Sequence, residues 1–75
     1  MLRELEVVVL QKNLPAHGLR VGDLGTVVGV YSRGGKHGID VEFVLPNGRT
    51  KALVTLDPRD VRKPRSTDVA TVRTA

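Results

Sequence analysis

Apolar and polar residues alternate in short runs along this chain, and glycine or proline interrupts the pattern between one run and the next. An alternation of period two places successive side chains on opposite faces of a β-strand. Nowhere does an apolar spacing of three and four residues persist for the dozen positions that an amphipathic helix would show. The pattern therefore predicts an all-β protein.

The runs predict five strands, and glycines and prolines mark the turns between them. The long segment 11–22 predicts a loop folded back on itself, the sequence "SRGGKHG" a flexible hairpin loop, "LPNGR" a tight hairpin, and "DPRD" one 3₁₀ turn. The predicted strands are residues 4–10, 24–31, 39–45 and 50–56, and a short strand that begins at Val61.

The second predicted strand is unusual because glycines stand inside it. Strict alternation would place Gly25, Val27, Gly29 and Tyr31 on one face. A glycine inside a strand indicates a bulge, a bend or a close approach of the backbone to a neighbour. We therefore interpret these glycines as devices that let the sheet curve.

Five short strands, a long first loop and a single 3₁₀ turn before the last strand predict a small SH3-like barrel. We expect this barrel to span residues 1–63 and residues 64–75 to form a flexible C-terminal tail. A chain of 75 residues makes one domain at most, and without cysteine it has neither disulfides nor thiolate metal ligands. The charged N-terminus and the absence of a long apolar run predict a cytoplasmic protein without a membrane segment.

The sequence offers no pattern typical of catalysis. Its two histidines, His17 and His37, lie in predicted loops, and the glycine-rich segments lack the lysine and helix of a phosphate-binding loop. Three or four converging ligands would be needed for a metal, and they are not evident. We therefore predict that the protein is not an enzyme and has no catalytic, cofactor-binding or metal-binding residues.

Recognition of a protein partner is the leading functional hypothesis. Tyrosine and arginine are frequent anchors of interfaces, and the two glycine-bounded loops could join with the only tyrosine in one mixed surface. The alternative is that the leucines of the first loop only cover an open end of the barrel. The predicted protein-binding residues are Leu14, His17, Leu19, Arg20, Tyr31, Arg33, Lys36 and His37.

Nucleic-acid binding is the second hypothesis. The chain has a net charge of +4, and the five Lys/Arg and two Asp of residues 58–75 contribute +3 of it. Basic side chains on one face give salt-sensitive phosphate binding, although a single tyrosine and a single phenylalanine make a poor platform for stacking bases. The residues of this alternative are Arg20, Arg33, Lys36, Arg59, Arg62, Lys63 and Arg65. The oligomeric state is left open.

The segments "HGLRVGDLGTVV", "VEF" and "LVTLDPRDVR" together resemble a family of short bacterial proteins catalogued only as a domain of unknown function. The resemblance implies an SH3-like barrel. Some members of that family are thought to be encoded beside toxin-like partners, which implies an antitoxin or immunity role. A more distant resemblance, carried by Gly22, Gly25 and Val27 in the pattern G-x-x-G-x-V, is to KOW domains, and it implies RNA binding through basic loops.

Overall fold

The computed structural model describes residues 2–45 and 47–65 of the chain. These residues form one antiparallel sheet of five strands, which confirms the predicted all-β class. The strands are β1 (Val7–Leu10), β2 (Leu24–Arg33), β3 (Lys36–Val44), β4 (Thr50–Leu56) and β5 (Val61–Arg62), and they lie in the order β4-β3-β2-β1-β5.

The sheet curls around a single apolar core. On β3, the inner positions Ile39, Val41 and Phe43 are buried, as the alternation in that strand predicts. The neighbouring strands contribute the other members of the core, which include Val8, Leu10, Val27, Val54, Leu56 and Val61. Within the described residues no ladder joins β4 to β5, so the sheet is curved without being closed by hydrogen bonds.

The number of strands, the long loop after β1 and the 3₁₀ turn before β5 are those predicted for an SH3-like barrel. The predicted 3₁₀ turn is confirmed at Pro58–Asp60, and the structure adds an earlier one, Pro15–His17, inside the long loop. Pro15 supplies the fixed φ that a first helical residue needs, and Gly18 ends the turn with a φ of 67°.

The first strand is shorter than predicted, since it begins at Val7 instead of residue 4. The N–H of Glu6 donates to the carbonyl oxygen of Arg3 at 3.2 Å, and Leu5 has a φ of 68°. This left-handed residue places the preceding segment in a turn, which an alternation of apolar residues does not reveal.

A β-bulge at Val28 divides β2 into two halves. Val27 pairs with Val41 on β3, but the next pair joins Gly29 to Asp40, so Val28 is an extra residue on β2. One extra residue reverses the faces of the strand beyond it. The glycine-rich sequence of β2 indicates such a bulge, and the structure shows where it falls.

The bulge overturns one predicted face. Gly25 and Val27 point inward, but Tyr31 lies on the outer face together with Asp40, and Val30 takes the inner position opposite Ile39. The prediction that Tyr31 shares a face with Gly25 and Val27 is therefore wrong.

The described residues contain no helix that is long and apolar enough to cross a membrane. The domain boundary at residue 63 stays a prediction. The predicted tail lies outside the described residues from residue 66 onward.

Candidate binding cleft

The hairpin of β2 and β3 extends well beyond its neighbour β1. The four residues of β1 pair with β2 only between Leu24 and Thr26, whereas β2 stays paired with β3 as far as Arg33 and Lys36. A turn of two glycines, Gly34 and Gly35, closes the hairpin. Both have a positive φ, 58° and 78°, which is the geometry of the tight turns that match strand twist. The predicted flexible loop is therefore mostly a continuation of the two strands.

This extension leaves the inner face of the hairpin uncovered at one end of the sheet. Val30 stands opposite Ile39 on that face and is 43% exposed, because β1 does not reach it. The space beside Val30 is an open cleft of about 860 Å³, bounded on the other side by Pro58 of the second 3₁₀ turn. Leu2 also lines this cleft. The cleft therefore has apolar residues on the hairpin, the turn and the N-terminal segment.

Hydrogen bonds and ion pairs fix the 3₁₀ turn that forms the second wall of the cleft. The Asp57 carboxylate accepts the N–H of Arg59 at 2.8 Å, and the N–H of Asp57 donates to the Asp60 carboxylate at 3.2 Å. From the end of β1, Gln11 donates its side-chain amide to the Arg59 carbonyl oxygen at 3.3 Å. Lys12 forms an ion pair with Asp60 at 3.4 Å. The wall is therefore positioned both by its own sequence and by the residues that follow β1, the strand that pairs with β5.

Basic side chains border the cleft. Lys36 and His37 line it from the hairpin and Arg59 from the turn. Hydrogen bonds from the Arg59 side chain hold the pKa of Asp57 below its usual value and raise the pKa of Arg59. Among the described residues Lys36 forms no ion pair, and neither does Arg33 at the hairpin tip. Asp57 also lines the cleft and forms an ion pair with Arg59 at 3.2 Å, so the excess positive charge of the border comes from Lys36. That charge is well placed to attract an acidic partner.

Tyr31 is held against the outer face of the hairpin. Its hydroxyl donates to the Asp40 carboxylate, which also accepts the hydroxyl of Thr55. The bond to Asp40 raises the pKa of Tyr31, and the bonds from Thr55 and Tyr31 lower the pKa of Asp40. A Cβ atom on Gly29 would lie 2.8 Å from the Tyr31 hydroxyl, so this glycine makes room for the side chain. Tyr31 is thus a positioned residue that still lines the cleft.

The predicted protein-binding residues do not form one surface. Tyr31, Lys36 and His37 line the cleft, but Gly18, in the centre of the long loop, accepts a hydrogen bond from Lys51 at 2.7 Å. Lys51 lies at the start of β4, whose next residue, Ala52, pairs with Phe43 on β3. Phe43 lies six positions along β3 from His37, which is about 20 Å of strand.

The leucines of the long loop belong to the core. Leu19 is 2% exposed and belongs to the core cluster, and Leu14 packs against that cluster. Their backbones are joined by hydrogen bonds of 2.9 and 3.1 Å. Assigning Leu19 to a binding surface is therefore wrong. The structure favours the alternative, in which the leucines of this loop cover the apolar interior. His17 and Arg20, in the same loop, are exposed.

The residues of the nucleic-acid alternative are dispersed over the molecule. Arg33, Lys36 and Arg59 lie at or beside the cleft, whereas Arg20 lies in the long loop. Lys63 faces Glu6 at 3.9 Å, and the Arg62 guanidinium donates to the Lys63 carbonyl oxygen at 3.2 Å. These positions do not make the single basic stripe that is typical of a phosphate-binding surface.

Sequence reasoning missed the apolar part of the cleft, which consists of Leu2, Val30, Ile39 and Pro58. One signal for it exists, because the Gly34-Gly35 pair by itself favours a two-residue hairpin turn, and such a turn extends the two strands to Arg33 and Lys36. Within residues 2–45 and 47–65, no group of three or more metal-ligating side chains comes together and no polar side chain is buried.

These features define the protein as a small all-β domain whose antiparallel sheet carries an open cleft beside its second 3₁₀ turn. A family model described as a domain of unknown function (DUF4926) matches residues 4–63, and the chain belongs to this family. This result confirms the resemblance carried by the "HGLRVGDLGTVV" segment. Comparisons with curated proteins and with solved structures gave no match.

Proposed function

We propose that this protein is a non-enzymatic binding module. It captures a protein partner by binding an acidic, partly apolar segment of that partner in the cleft. One observation carries the proposal. The inner face of the β2–β3 hairpin is left uncovered at Val30, and this apolar strip lies beside the positive side chain of Lys36, which forms no ion pair among the described residues.

The combination of apolar floor and charged border is typical of protein interfaces. Their centres are apolar and depleted of charge, and their polar rims steer the partner and select it by complementary charge. Here Ile39 is fully buried beneath the cleft while Val30 remains 43% exposed. Binding would remove Val30 from water, and the acidic groups of the partner would meet Lys36 at the edge.

A protein partner is favoured over nucleic acid because the cleft presents more than charge. A phosphate backbone would use Lys36 and Arg59 but would leave the apolar strip unused. Tyr31, which lines the cleft, has its hydroxyl bonded to Asp40 on the outer face of the sheet and is not free to stack on a base. The prediction of an antitoxin or immunity role remains a prediction about the identity of the partner.

The proposal is tested by placing an acidic side chain inside the cleft. Val30→Glu should repel an acidic segment and abolish capture of the partner from a nuclease-treated native lysate. Val44→Glu is the matched control, because Val44 is also an exposed strand valine, at 53% against 43% for Val30, and it lies at the far end of β3. Both variants should unfold at temperatures close to that of the wild type, since neither position is buried.

The expected result is that the wild type and Val44→Glu retain one stoichiometric protein and Val30→Glu loses it. Equal capture by all three proteins would contradict the proposal. If nuclease treatment removed all bound material from the wild type, the nucleic-acid alternative would replace it, and that binding should weaken steeply with salt.

A further inference from the structure

We infer that the partner segment binds in an extended conformation and adds a β-strand to the free edge of β2 at Val30 and Ser32. This inference rests on the proposed function and specifies how the cleft would hold its partner. Strand addition uses main-chain hydrogen bonds for affinity and side-chain pockets for specificity.

The free edge follows from the register of the hairpin. In a hairpin closed by a two-residue turn, the residues flanking the turn form a hydrogen-bonded pair, and the pairs then alternate. Arg33 and Lys36 flank the turn, so Ser32 and Val30 occupy non-hydrogen-bonded pairs with β3. The N–H and C=O groups of Ser32 and Val30 therefore point away from β3, toward the side of β2 where β1 would lie.

The same edge is occupied further back along β2. The N–H of Val27 donates to the Glu6 carbonyl oxygen at 2.9 Å, and the N–H of Leu5 donates to the Val27 carbonyl oxygen. Beyond the bulge this row of bonds stops: among the described residues no backbone hydrogen bond reaches Val30 or Ser32 from that side. An added strand would continue a row of hydrogen bonds that the protein itself begins.

The position of the edge fixes the chemistry of the segment. Val30 and Ser32 both line the cleft, so alternate side chains of an added strand would point toward Val30 and Pro58 and should be aliphatic. The remaining side chains would lie on the outer face of the hairpin, beside Tyr31 and Arg33. Arg33 and its cross-strand neighbour Lys36 form no ion pair within the part of the chain that the structure describes, whereas the Asp40 carboxylate of this face is already bonded to Tyr31 and Thr55. Charge complementarity therefore selects a segment in which acidic and aliphatic residues alternate.

The first experiment uses a blocked synthetic peptide of about eight residues that alternates Glu and Val, the minimal form of such a segment. A peptide of the same length that alternates Lys and Val serves as the charge control. We expect the Glu/Val peptide to shift the backbone resonances of Ile39 and Arg59 and to slow hydrogen exchange at the amides of Val30 and Ser32. The Lys/Val peptide should do neither.

The second experiment removes one donor from the edge. Ser32→Pro deletes an N–H that β3 does not use, and proline is tolerated on edge strands where its nitrogen faces outward. Loss of one main-chain hydrogen bond, and of the close packing of the peptide at that bond, should weaken binding of the Glu/Val peptide by about tenfold. Ser32→Ala keeps the N–H and should bind as the wild type does. If Ser32→Pro does not fold, N-methylation of alternate peptide amides tests the same bonds from the other side.

The possible outcomes separate the inference from the proposed function. Strand addition would be overturned if the peptide shifted Ile39 and Arg59 but did not protect the amides of Val30 and Ser32, and if Ser32→Pro or every N-methylated peptide still bound fully. The cleft would then still be the binding site. No shift with the Glu/Val peptide would overturn both. Protection of Val30 and Ser32 that depends on protein concentration in the free protein would identify a second copy of this chain as the occupant and would also overturn the inference.

Discussion

Gly25 provides the most direct test of the packing in this sheet. A Cβ atom added at this position would lie 2.5 Å from Cγ1 of Val41 and 2.9 Å from Cε1 of Phe43. Both neighbours are at most 2% exposed, so neither side chain can swing into solvent to make room. Adding one carbon to a core that cannot yield costs about 1–3 kcal/mol in free energy of unfolding. For a domain of this size the midpoint of thermal unfolding should fall by about 5–20 °C.

Thermal unfolding of Gly25→Ala followed by far-UV circular dichroism measures this loss. Gly38→Ala is the matched control, because Gly38 lies on the neighbouring strand β3 and its added Cβ would find no atom closer than 3.9 Å. That control should change the free energy of unfolding by about 1 kcal/mol or less. A midpoint for Gly25→Ala within 2 °C of the wild type, the scale of scatter between surface variants, would show that the close approach at Gly25 does not constrain the core.

Two further predictions concern the long loop and the outer face of the sheet. Leu19→Ala should lower the free energy of unfolding by about 2–5 kcal/mol because it opens a cavity in the core, whereas His17→Ala should leave denaturant unfolding unchanged; equal effects would contradict the buried position of Leu19. Phenolate absorbance should show Tyr31, the single tyrosine, titrating above pH 10.0 in the wild type and closer to that value in Asp40→Asn. Identical titration curves would rule out the hydroxyl–carboxylate bond as the cause.

The raised pKa of Tyr31 also has a consequence for stability. The protonated hydroxyl is favoured in the folded protein, so its contribution is fully present below the unfolded value of 10.0. That contribution should be lost as the pH rises through the higher folded pKa.

Much of the fold could be predicted from local signals in the sequence. The return strand β4 and the second 3₁₀ turn fall where proline, asparagine and glycine punctuate the alternation of apolar residues. Those signals are local, because Pro58 fixes its own φ and the Asp57 carboxylate caps the turn that begins one residue later. The four residues 57–60 determine this turn, so it can be predicted without knowledge of the rest of the chain.

The candidate site could be predicted only in part, because its position depends on contacts between distant residues. Lys36 and His37 were identified from their loop, but the neighbours they share the cleft with, Leu2 and Pro58, come from opposite ends of the chain. The position of the bulge depends on how β2 pairs with β3, which the alternation within β2 alone does not contain. The sequence therefore indicates that β2 contains a bulge. It does not show that Val30 becomes an exposed apolar residue of the cleft.

The bulge at Val28 separates two sets of requirements along one strand. Before the bulge, the inward residues Gly25 and Val27 are packed in the core, and there is no room for a larger side chain at Gly25. Beyond it, the inward positions Val30 and Ser32 pair with Ile39 and His37 and are both exposed, so we expect that they can vary with little effect on the interior. The tip of the hairpin is in this sense an adjustable part of the protein, and libraries randomised at Val30 and Ser32 should yield new binding specificities on an unchanged scaffold.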